Sequence, residues 1–568
     1  MSRRLVFWIV AVAAVFAALW QAWALRWTCD DAYISFRYAQ HFAEGHGLVY
    51  NLDPAEAPVE GYTNFSWTVW LGIGWWLGAT DAALETWAAL SGALCHAGTV
   101  LLLALIAWRA SAGRALVPIA ACGYAALHHA ASLAPAGLET ALFVLLGLAM
   151  LRLCLTLRCP REAWLCGFVG VLCALTRPDG ALFGAAAFAF VAADAVRRRA
   201  PRLVLASVLP FALVFVPFLL WRHAYYGEWV PNTFFAKAGG EPYPGRGLAY
   251  VQAFAQCYWA LLPTLPLLGW FVLRRPDPLA PIDPFVGRRP WLVLAAFALP
   301  YLAFVVWVGG DFMFGRFVLP VLPTLLLAFD FACRRWRAAW LQPAFAAALV
   351  AGLSLRVEPP WLDDHQNPHG FSDNRAISVM EAAPGLPRTE AFRIAGNRLR
   401  ELFAGLPVRI AYGGSQANLA FRSRVPVAIE QYGLTDAFLA HRPLLQRGVA
   451  GHEKGYLECP GYYERRGVHF HFEGAYGAGD IWREVLFPGP VPIGARLVVY
   501  DRELMQELRR RAPGLVAVDF EQMLDDYLAG IAERPPAQVA ADYSKFRAAW
   551  FDHTDDPVRQ AAFERHLR

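Results

Sequence analysis

Long apolar runs recur through most of this chain, and they constrain its fold more than any other feature. A helix needs about 20 apolar residues to cross the hydrocarbon core of a bilayer, and several runs approach or exceed that length. Backbone polar groups inside lipid need internal partners, so such runs form helices. We therefore predict a polytopic α-helical membrane protein with about eleven transmembrane helices. The predicted spans are 5–25, 82–108, 115–131, 138–157, 162–176, 180–196, 203–221, 250–273, 291–308, 317–333 and 338–355.

The amino-acid composition indicates a membrane domain followed by a soluble domain. The chain of 568 residues is 57% hydrophobic and 17% charged, whereas a soluble domain carries about 25% charged residues. Nineteen of the 22 tryptophans precede residue 356, as expected where many segments meet a membrane interface. Residues 1–355 hold 18 of the 46 acids, and the shorter remainder holds 28. We place a domain boundary there: 1–355 transmembrane and catalytic, 356–568 soluble.

The arginine clusters predict which loops face the cytosol. Run 65–78 is too short for a normal crossing and is assigned to the interface. With the N-terminus inside, all dense arginine clusters then fall on one side, as the positive-inside rule requires. These loops are 109–114, 158–162, 197–202, 274–290 and 334–337. We thus expect a multi-pass protein of a bacterial cytoplasmic (inner) membrane, with loop 26–81 and the C-terminal domain on the periplasmic side. Because topology explains the arginines, the net charge of +5 does not indicate nucleic acid.

The opposite side collects most acids of the membrane region. They come from five separate outer loops, which can meet around one chamber at the lipid boundary. This convergence predicts an active site at the outer membrane surface. The acids are Asp30, Asp31, Glu44, Glu60, Glu139, Asp179, Glu228 and Asp311.

Two adjacent carboxylates, Asp30 and Asp31, follow the first span directly. The next residues place Ala32, Phe36, Ala39 and Ala43 on one helical face, with Gly45 as a C-terminal cap. We expect an amphipathic helix lying on the membrane that holds the acid pair at its rim. Such a carboxylate can take a proton from an acceptor hydroxyl, and either acid could instead bind a divalent cation. The sequence leaves the two roles unassigned.

The remainder of the chain alternates strand and helix patterns. Segments 408–414, 467–474 and 495–501 predict strands, and 389–405 and 501–513 predict amphipathic helices. These patterns indicate a C-terminal α/β or α+β domain outside the membrane.

Several motifs resemble those of bacterial arabinofuranosyltransferases in the membrane glycosyltransferase-C (GT-C) superfamily. The resemblance is nearest to the terminal β-(1→2) type of mycobacterial cell walls. The block DDAYISFRYAQHFAEGHGLVYN…VEGYTNFSW carries it most specifically, and the other motifs follow in the right order: GLET at 137–140, TRPDG at 176–180, GGDFMFGRF at 309–317, YGLTDAFLA at 432–440 and GHEK at 451–454. The resemblance implies a GT-C fold, catalysis by Asp30 or Asp31, and a sugar donor linked to polyprenyl phosphate.

That chemistry needs cations for the departing phosphate and polar groups for the sugar. The outer cations Arg37, Arg177, Lys237 and Arg316 are the phosphate candidates, although Arg177 could instead pair with Asp179, and Arg316 with Asp311. Glu60 and Asn64 are expected to bind the sugar, with Tyr62 as a hydrogen-bonding or stacking residue. We place Asp311 in the cavity because the preceding glycines let backbone approach a ligand. The remaining substrate-binding candidates are Glu139, Asp179, His452 and Lys454.

The leading hypothesis is an inverting glycosyltransferase of the cell envelope. It would move a sugar, D-arabinofuranose by resemblance, from a polyprenyl-phosphate donor to an extracytoplasmic glycan or glycoprotein. One alternative keeps the fold and transfers a hexose or aminoarabinose to lipid A or protein. Another is a lipid-linked sugar flippase or transporter, disfavoured because the acids gather at one end rather than at the membrane midplane. No ligand spacing demands a metal.

Overall fold

The structure is a computed structural model that describes most of the chain. The described residues are 2–237, 241–273, 290–334, 340–362, 370–414, 416–449, 451–454, 459, 461–472 and 484–567. Of the predicted cytoplasmic loops, 274–289 and 335–337 lie outside the described residues.

Helices dominate the first 355 residues. They are α1 (Arg3–Ala24), α2 (Asp30–Ala43), α3 (Phe65–Trp76), α4 (Ala82–Ala110), α5 (Ile119–Ala125), α6 (His128–Leu133), α7 (Thr140–Thr156), α8 (Pro160–Thr176), α9 (Gly180–Arg198), α10 (Arg202–Pro210), α11 (Val216–Tyr226), α12 (Asn232–Ala236), α13 (Pro244–Cys257), α14 (Thr264–Leu273), α15 (Pro290–Trp307), α16 (Leu322–Arg334) and α17 (Leu341–Ser354). A π-helical turn, Phe211–Phe215, joins α10 to α11 into one long rod, and 3₁₀ turns at Trp259–Leu261 and Leu319–Val321 precede α14 and α16.

Five helices in the described part of the chain are long and apolar enough to cross a membrane, by length and composition. They are α1, α4, α9, the α10–α11 rod and α15. Three shorter apolar helices lie at 140–156, 259–270 and 341–354. The predicted count of eleven is not confirmed. For example, predicted span 115–131 is two short helices, α5 and α6, and the short run at 65–78 forms the 12-residue α3.

Small residues let the membrane helices pack closely. The inner face of α1 consists of alanines, including Ala11, Ala18 and Ala22, each no more than 1% exposed. On α4, Gly92 lies so near the turn after α6 that an added Cβ would overlap the carbonyl oxygen of Ala134. Lipid supplies no hydrophobic force between helices, so such close van der Waals contact is what holds them together.

Helix α2 is the core of the first loop rather than a helix lying on the membrane. All ten residues from Ala32 to His41 are buried, so the prediction of a lipid-facing helix was wrong. The rest of the first loop and the C-terminal part of the chain cover its polar side. The helix itself and its end were predicted correctly: Gly45 has φ +88°, and the amide of His46 donates to the carbonyl of His41 (2.9 Å).

The C-terminal part combines short helices with a sheet. Its helices are α18 (Asn374–Val379), α19 (Arg388–Phe403), α20 (Ala417–Ser423), α21 (Ala437–Ala440), α22 (Tyr462–Arg465), α23 (Arg502–Arg511), α24 (Phe520–Ala529), α25 (Pro536–Phe546) and α26 (Pro557–Leu567), with a 3₁₀ turn at Ile531–Glu533 and a π turn at Arg547–Phe551. Its strands are β1 (Glu381–Ala383), β2 (Leu386–Pro387), β3 (Arg409–Tyr412), β4 (Val427–Glu430), β5 (Phe470–Phe472), β6 (Glu484–Phe487), β7 (Ile493–Leu497) and β8 (Val516–Ala517).

Six of these strands form one mixed sheet in the order β4-β3-β5-β7-β6-β8. Strand β3 pairs in parallel with β4 and β5, whereas β6, β7 and β8 are antiparallel. Strands are present in all three predicted strand segments. The segment after β3 leads to Ala417 and Asn418, whose amides donate to Asp30 of α2. The loop after β4 accepts hydrogen bonds from Asn232 at the start of α12, so the parallel half of the sheet contacts both helices.

The packing of α4 yields the first prediction. Gly92→Ala should lower the free energy of unfolding by about 1–3 kcal/mol, because the new Cβ meets a backbone carbonyl that cannot rotate away. The matched control is Gly98→Ala on the same helix, where the added carbon would lie 3.4 Å from the movable Cδ2 of Leu145. Thermal unfolding of both variants in detergent measures the difference. Equal stability would contradict this account of the α4 contact.

Candidate functional site

A cavity of about 210 Å³ lies where α2, the outer loops and the C-terminal part meet. Eight of the residues predicted for the site line it, and they come from six separate segments. The polar and charged lining residues are Asp31, Ser35, Tyr62, Thr63, Asn64, Glu139, Arg177, Asp179, Thr233, Lys237 and Arg316. Apolar residues Ile34, Leu138, Phe304, Phe317 and Leu434 complete the wall.

The two adjacent aspartates face different directions. Consecutive residues on an α-helix diverge by about 100°. Asp31 lines the cavity, whereas the carboxylate of Asp30 accepts hydrogen bonds from the amides of Ala417 (3.1 Å) and Asn418 (3.3 Å) at the start of α20. Burial raises the pKa of Asp30 to about 7, against the opposing effect of the Ala417 amide. The structure thus gives the two carboxylates different surroundings.

A buried network of ion pairs forms one side of the cavity. The guanidinium of Arg177 contacts Asp179 (2.9 Å) and Glu139 (3.3 Å). The amide of Asn64 donates to Glu139 (2.9 Å), and the hydroxyl of Tyr301 donates to Asp179 (2.5 Å). Two carboxylates therefore already balance the charge of Arg177. The sequence analysis named the Arg177–Asp179 pair as an alternative to phosphate binding.

Arg316 is also paired. It forms an ion pair with Asp311, which is buried beneath it and does not line the cavity. The glycines before Asp311 serve a different purpose from the one predicted. Gly309 and Gly310 have φ of +87° and +70°, and added Cβ atoms would lie 2.9 and 2.5 Å from atoms of Tyr243 and Tyr250. They let the backbone pass close to two aromatic rings, not to a ligand.

Lys237 differs from the other cations of the cavity. It follows α12 directly, and within the described residues its ammonium has no hydrogen bond or ion pair. The protein around the cavity lowers the pKa of Lys237, and the charge of Arg316 adds to the effect. Carboxylates of Asp31 and Asp311 act in the opposite direction. Lys237 is itself exposed, and it lines the cavity. A cation in that position, without a partner among the described residues, is suited to meet an anion.

Three predicted binding residues have their polar groups engaged elsewhere. The guanidinium of Arg37 donates to the carbonyls of Tyr50 (2.7 Å), Ala420 (2.6 Å) and Val425 (2.6 Å). Glu60 pairs with Arg222 (3.0 Å), and burial raises its pKa to about 7. Lys454 donates to the carbonyls of Phe235 and Ala440. None of the three lines the cavity.

His452 lies next to the cavity without lining it. Its ring packs edge-on against Phe312 (4.9 Å between centroids) and Tyr432 (4.7 Å). Burial lowers the pKa of His452, and the charge of Asp31 opposes this effect. Its Nδ1 atom is buried and has no hydrogen-bond partner among the described residues. The GHEK segment (451–454) therefore places His452, but not Lys454, beside the cavity.

Sequence reasoning missed Glu430 at the end of β4. Its buried carboxylate accepts the amides of Tyr432 and Leu434 (both 2.9 Å) and shapes the loop that carries Leu434 into the cavity wall. Burial raises its pKa to about 8. The sequence shows an acid shortly before the YGLT motif, but it does not show the tight turn whose amides bind this carboxylate.

The described residues contain no group of three or more His, Cys, Asp or Glu side chains placed to hold a metal ion. Of the aspartate pair, only Asp31 faces the cavity, since amides occupy Asp30. The site itself thus offers one free carboxylate to a cation.

Comparisons with known proteins agree with the resemblance predicted from the motifs. A protein of Mycobacterium tuberculosis named terminal beta-(1->2)-arabinofuranosyltransferase is 33% identical over 351 residues, 56% of this chain and 54% of its own length. One of the same name from Corynebacterium glutamicum is 28% identical over 350 residues, 56% of this chain and 50% of its own. The chain thus spans about half the length of the curated relatives that it matches. No protein-family model matches.

Among solved structures, ArnT from Cupriavidus metallidurans bound to undecaprenyl phosphate aligns with a TM-score of 0.48 and 14% identity. The alignment covers 74% of this chain and 85% of that one. The sequence matches are the firmer result: this chain is similar to curated arabinofuranosyltransferases over more than half of its length.

Proposed function

We propose that this chain is an inverting glycosyltransferase that moves a sugar from a polyprenyl-phosphate donor to a glycan or glycoprotein outside the cytosol. The observation that carries the proposal is that Asp31 and Lys237 line one cavity. A free carboxylate and an unpaired ammonium are the two groups that displacement at a glycosyl phosphate requires.

In the proposed reaction, the carboxylate of Asp31 takes the proton of an acceptor hydroxyl. The hydroxyl oxygen attacks the anomeric carbon from the side opposite the phosphate, and a new C–O bond forms as the bond to the phosphate oxygen breaks. The electron pair of that bond leaves with polyprenyl phosphate. Lys237 stabilises the charge that grows on the leaving phosphate, and Arg316 adds to the positive field. One displacement inverts the anomeric centre.

Apolar residues of the cavity suit the lipid part of such a donor. Ile34, Leu138, Phe304 and Phe317 share the wall with the charged groups, and Phe304 belongs to α15, one of the helices long enough to span a membrane. A headgroup could then sit beside Lys237 while its chain remains in the lipid. This arrangement supports an active site at the outer surface of the cytoplasmic membrane, as the arginine distribution predicts.

The names of the two curated relatives favour D-arabinofuranose as the transferred sugar. Transfer of a hexose or aminoarabinose, and flippase or transporter activity, are not favoured. Within the cavity, Asn64 and Tyr62 are the groups that we assign to the sugar. A divalent cation stays a further prediction: if one binds, Asp31 and the donor phosphate would hold it.

The assignment of Asp31 is tested with purified protein and polyprenyl-phosphate arabinofuranose, following release of polyprenyl phosphate in the presence of acceptor. Asp31→Asn should lower kcat by about 10²–10⁴, because it removes the base. Asp30→Asn should lose much less activity, since its amide oxygen can still accept one of the two amides at the start of α20 and the base itself is untouched. Near-normal turnover of Asp31→Asn would overturn the assignment, as would an equal loss in both variants.

Two of the three cations of the cavity are expected to respond differently to substitution. Lys237→Ala should raise KM for the donor about tenfold or more and leave the melting temperature unchanged, because no described residue would lose a hydrogen bond or ion pair with Lys237. Arg177→Ala should lower the free energy of unfolding by about 3–5 kcal/mol, because it leaves Glu139 and Asp179 buried without their cation. Donor titration and thermal unfolding are measured on both. Unchanged donor KM in Lys237→Ala would count against a phosphate contact.

A further inference from the structure

A second, larger cavity of about 360 Å³ lies beside the first and is open to the outside. Its wall consists of the first loop, residues 46 and 49–59, together with Thr435. Its volume falls within the range of small-molecule sites, about 300–1,000 Å³. None of the residues assigned to the proposed reaction lines it.

The two cavities share a wall that is one residue layer thick. Val59 and Thr435 line the second cavity, whereas Gly61, two residues after Val59, and Leu434, directly before Thr435, line the first. An added Cβ at Gly61 would lie 2.7 Å from Cγ2 of Thr435, so the two segments touch. The hydroxyl of Tyr38 fixes this wall by donating to the carbonyl of Val59 (2.6 Å) and accepting from the amide of Gly61 (2.8 Å).

The two cavities differ in the charged groups that line them. The first cavity has three cations, Lys237, Arg177 and Arg316, and three carboxylates in its wall, whereas the lining of the second includes no lysine or arginine. Its acids are Asp53 and Glu56, each held from behind by an arginine. Carboxylates repel a phosphate but accept hydrogen bonds from hydroxyl groups. The second cavity therefore suits an uncharged, hydroxyl-rich molecule.

Two polar groups in the second cavity remain available to such a molecule. The hydroxyl of Thr435 is buried, the residue being 2% exposed, and has no hydrogen-bond partner among the described residues. Asn51 accepts the amide of Ala428 through its Oδ1 atom (2.9 Å), which leaves its own amide hydrogens as donors. An unpaired buried hydroxyl costs free energy that a bound ligand can recover.

We propose that this cavity is a subsite for an inner sugar unit of a neutral oligosaccharide acceptor. The terminal sugar unit of the same oligosaccharide would cross the rim formed by Gly61 and Thr435 and present its hydroxyl to Asp31. The subsite favours acceptors of two or more units, and it holds their inner unit outside the donor cavity. This inference rests on the proposed function and adds the class and length of the acceptor.

The test uses the full chain, the donor, and octyl glycosides of one, two and three arabinofuranose units. In the wild type, kcat/KM should rise with acceptor length. Thr435→Val removes the free hydroxyl and keeps the shape, and Asn51→Asp removes the amide donors but keeps the oxygen that Ala428 needs. Each should raise KM for the three-unit acceptor about tenfold, the value of one lost hydrogen bond. Donor KM, and kcat/KM for the one-unit acceptor, should stay unchanged.

Thr554→Val is the matched control, since it makes the same chemical change away from both cavities and should alter nothing. Unchanged KM for the three-unit acceptor in both subsite variants would overturn the inference, as would an equal loss with one-unit and three-unit acceptors. Binding of the three-unit glycoside, measured by calorimetry without donor, gives a second readout that does not depend on turnover. If the wild type binds it more tightly than Thr435→Val yet releases no polyprenyl phosphate, the proposed function fails and the subsite stands.

Discussion

The burial of Arg37 is the interaction on which the rest of the site depends. Its side chain is 1% exposed, and its guanidinium binds carbonyls of the first loop and of the C-terminal part, with no carboxylate partner among the described residues. Arg37 and Asp30 are seven residues apart, so they share one face of α2. Both hold the segment around α20: Asp30 through amides, Arg37 through carbonyls. With that face fixed, Asp31 must point into the cavity.

Ion pairing determines which charged groups of the cavity can contact a substrate. A charge inside a protein is tolerated when a partner compensates it, and a paired charge is poorly placed to gain a new partner. Arg177 and Arg316 already have carboxylates, and they shape the wall and its field. Lys237 and Asp31 are the groups left to meet a substrate. Because one is a cation and the other a carboxylate, the cavity offers a site for a leaving group beside a base.

The sequence was a good guide to which residues gather and a poor guide to what each one contacts. Periodicity predicted α2 and its end at Gly45, and the convergence of outer loops predicted most of the polar and charged residues that line the cavity. The division between Asp30 and Asp31 depends on α20, nearly 400 residues further along the chain, and no local pattern carries that information. The same reason explains why Glu60, predicted to bind the sugar, lies outside the cavity lining: its carboxylate pairs with Arg222, at the end of the α10–α11 rod. The number of spans is not confirmed, because apolar runs such as 115–131 form short helices in the structure.

The wall between the two cavities shows why the C-terminal part is needed at the membrane surface. Its loop after β4 is held from three directions: Glu430 accepts two of its amides, Asn232 of α12 donates to the carbonyls of Gly433 and Leu434, and Gly61 touches Thr435. A loop fixed in this way loses little entropy when a ligand binds. It also separates the cavity that contains Lys237 from a cavity whose lining has no lysine or arginine, so a charged donor and a neutral acceptor can approach the same carboxylate from different sides.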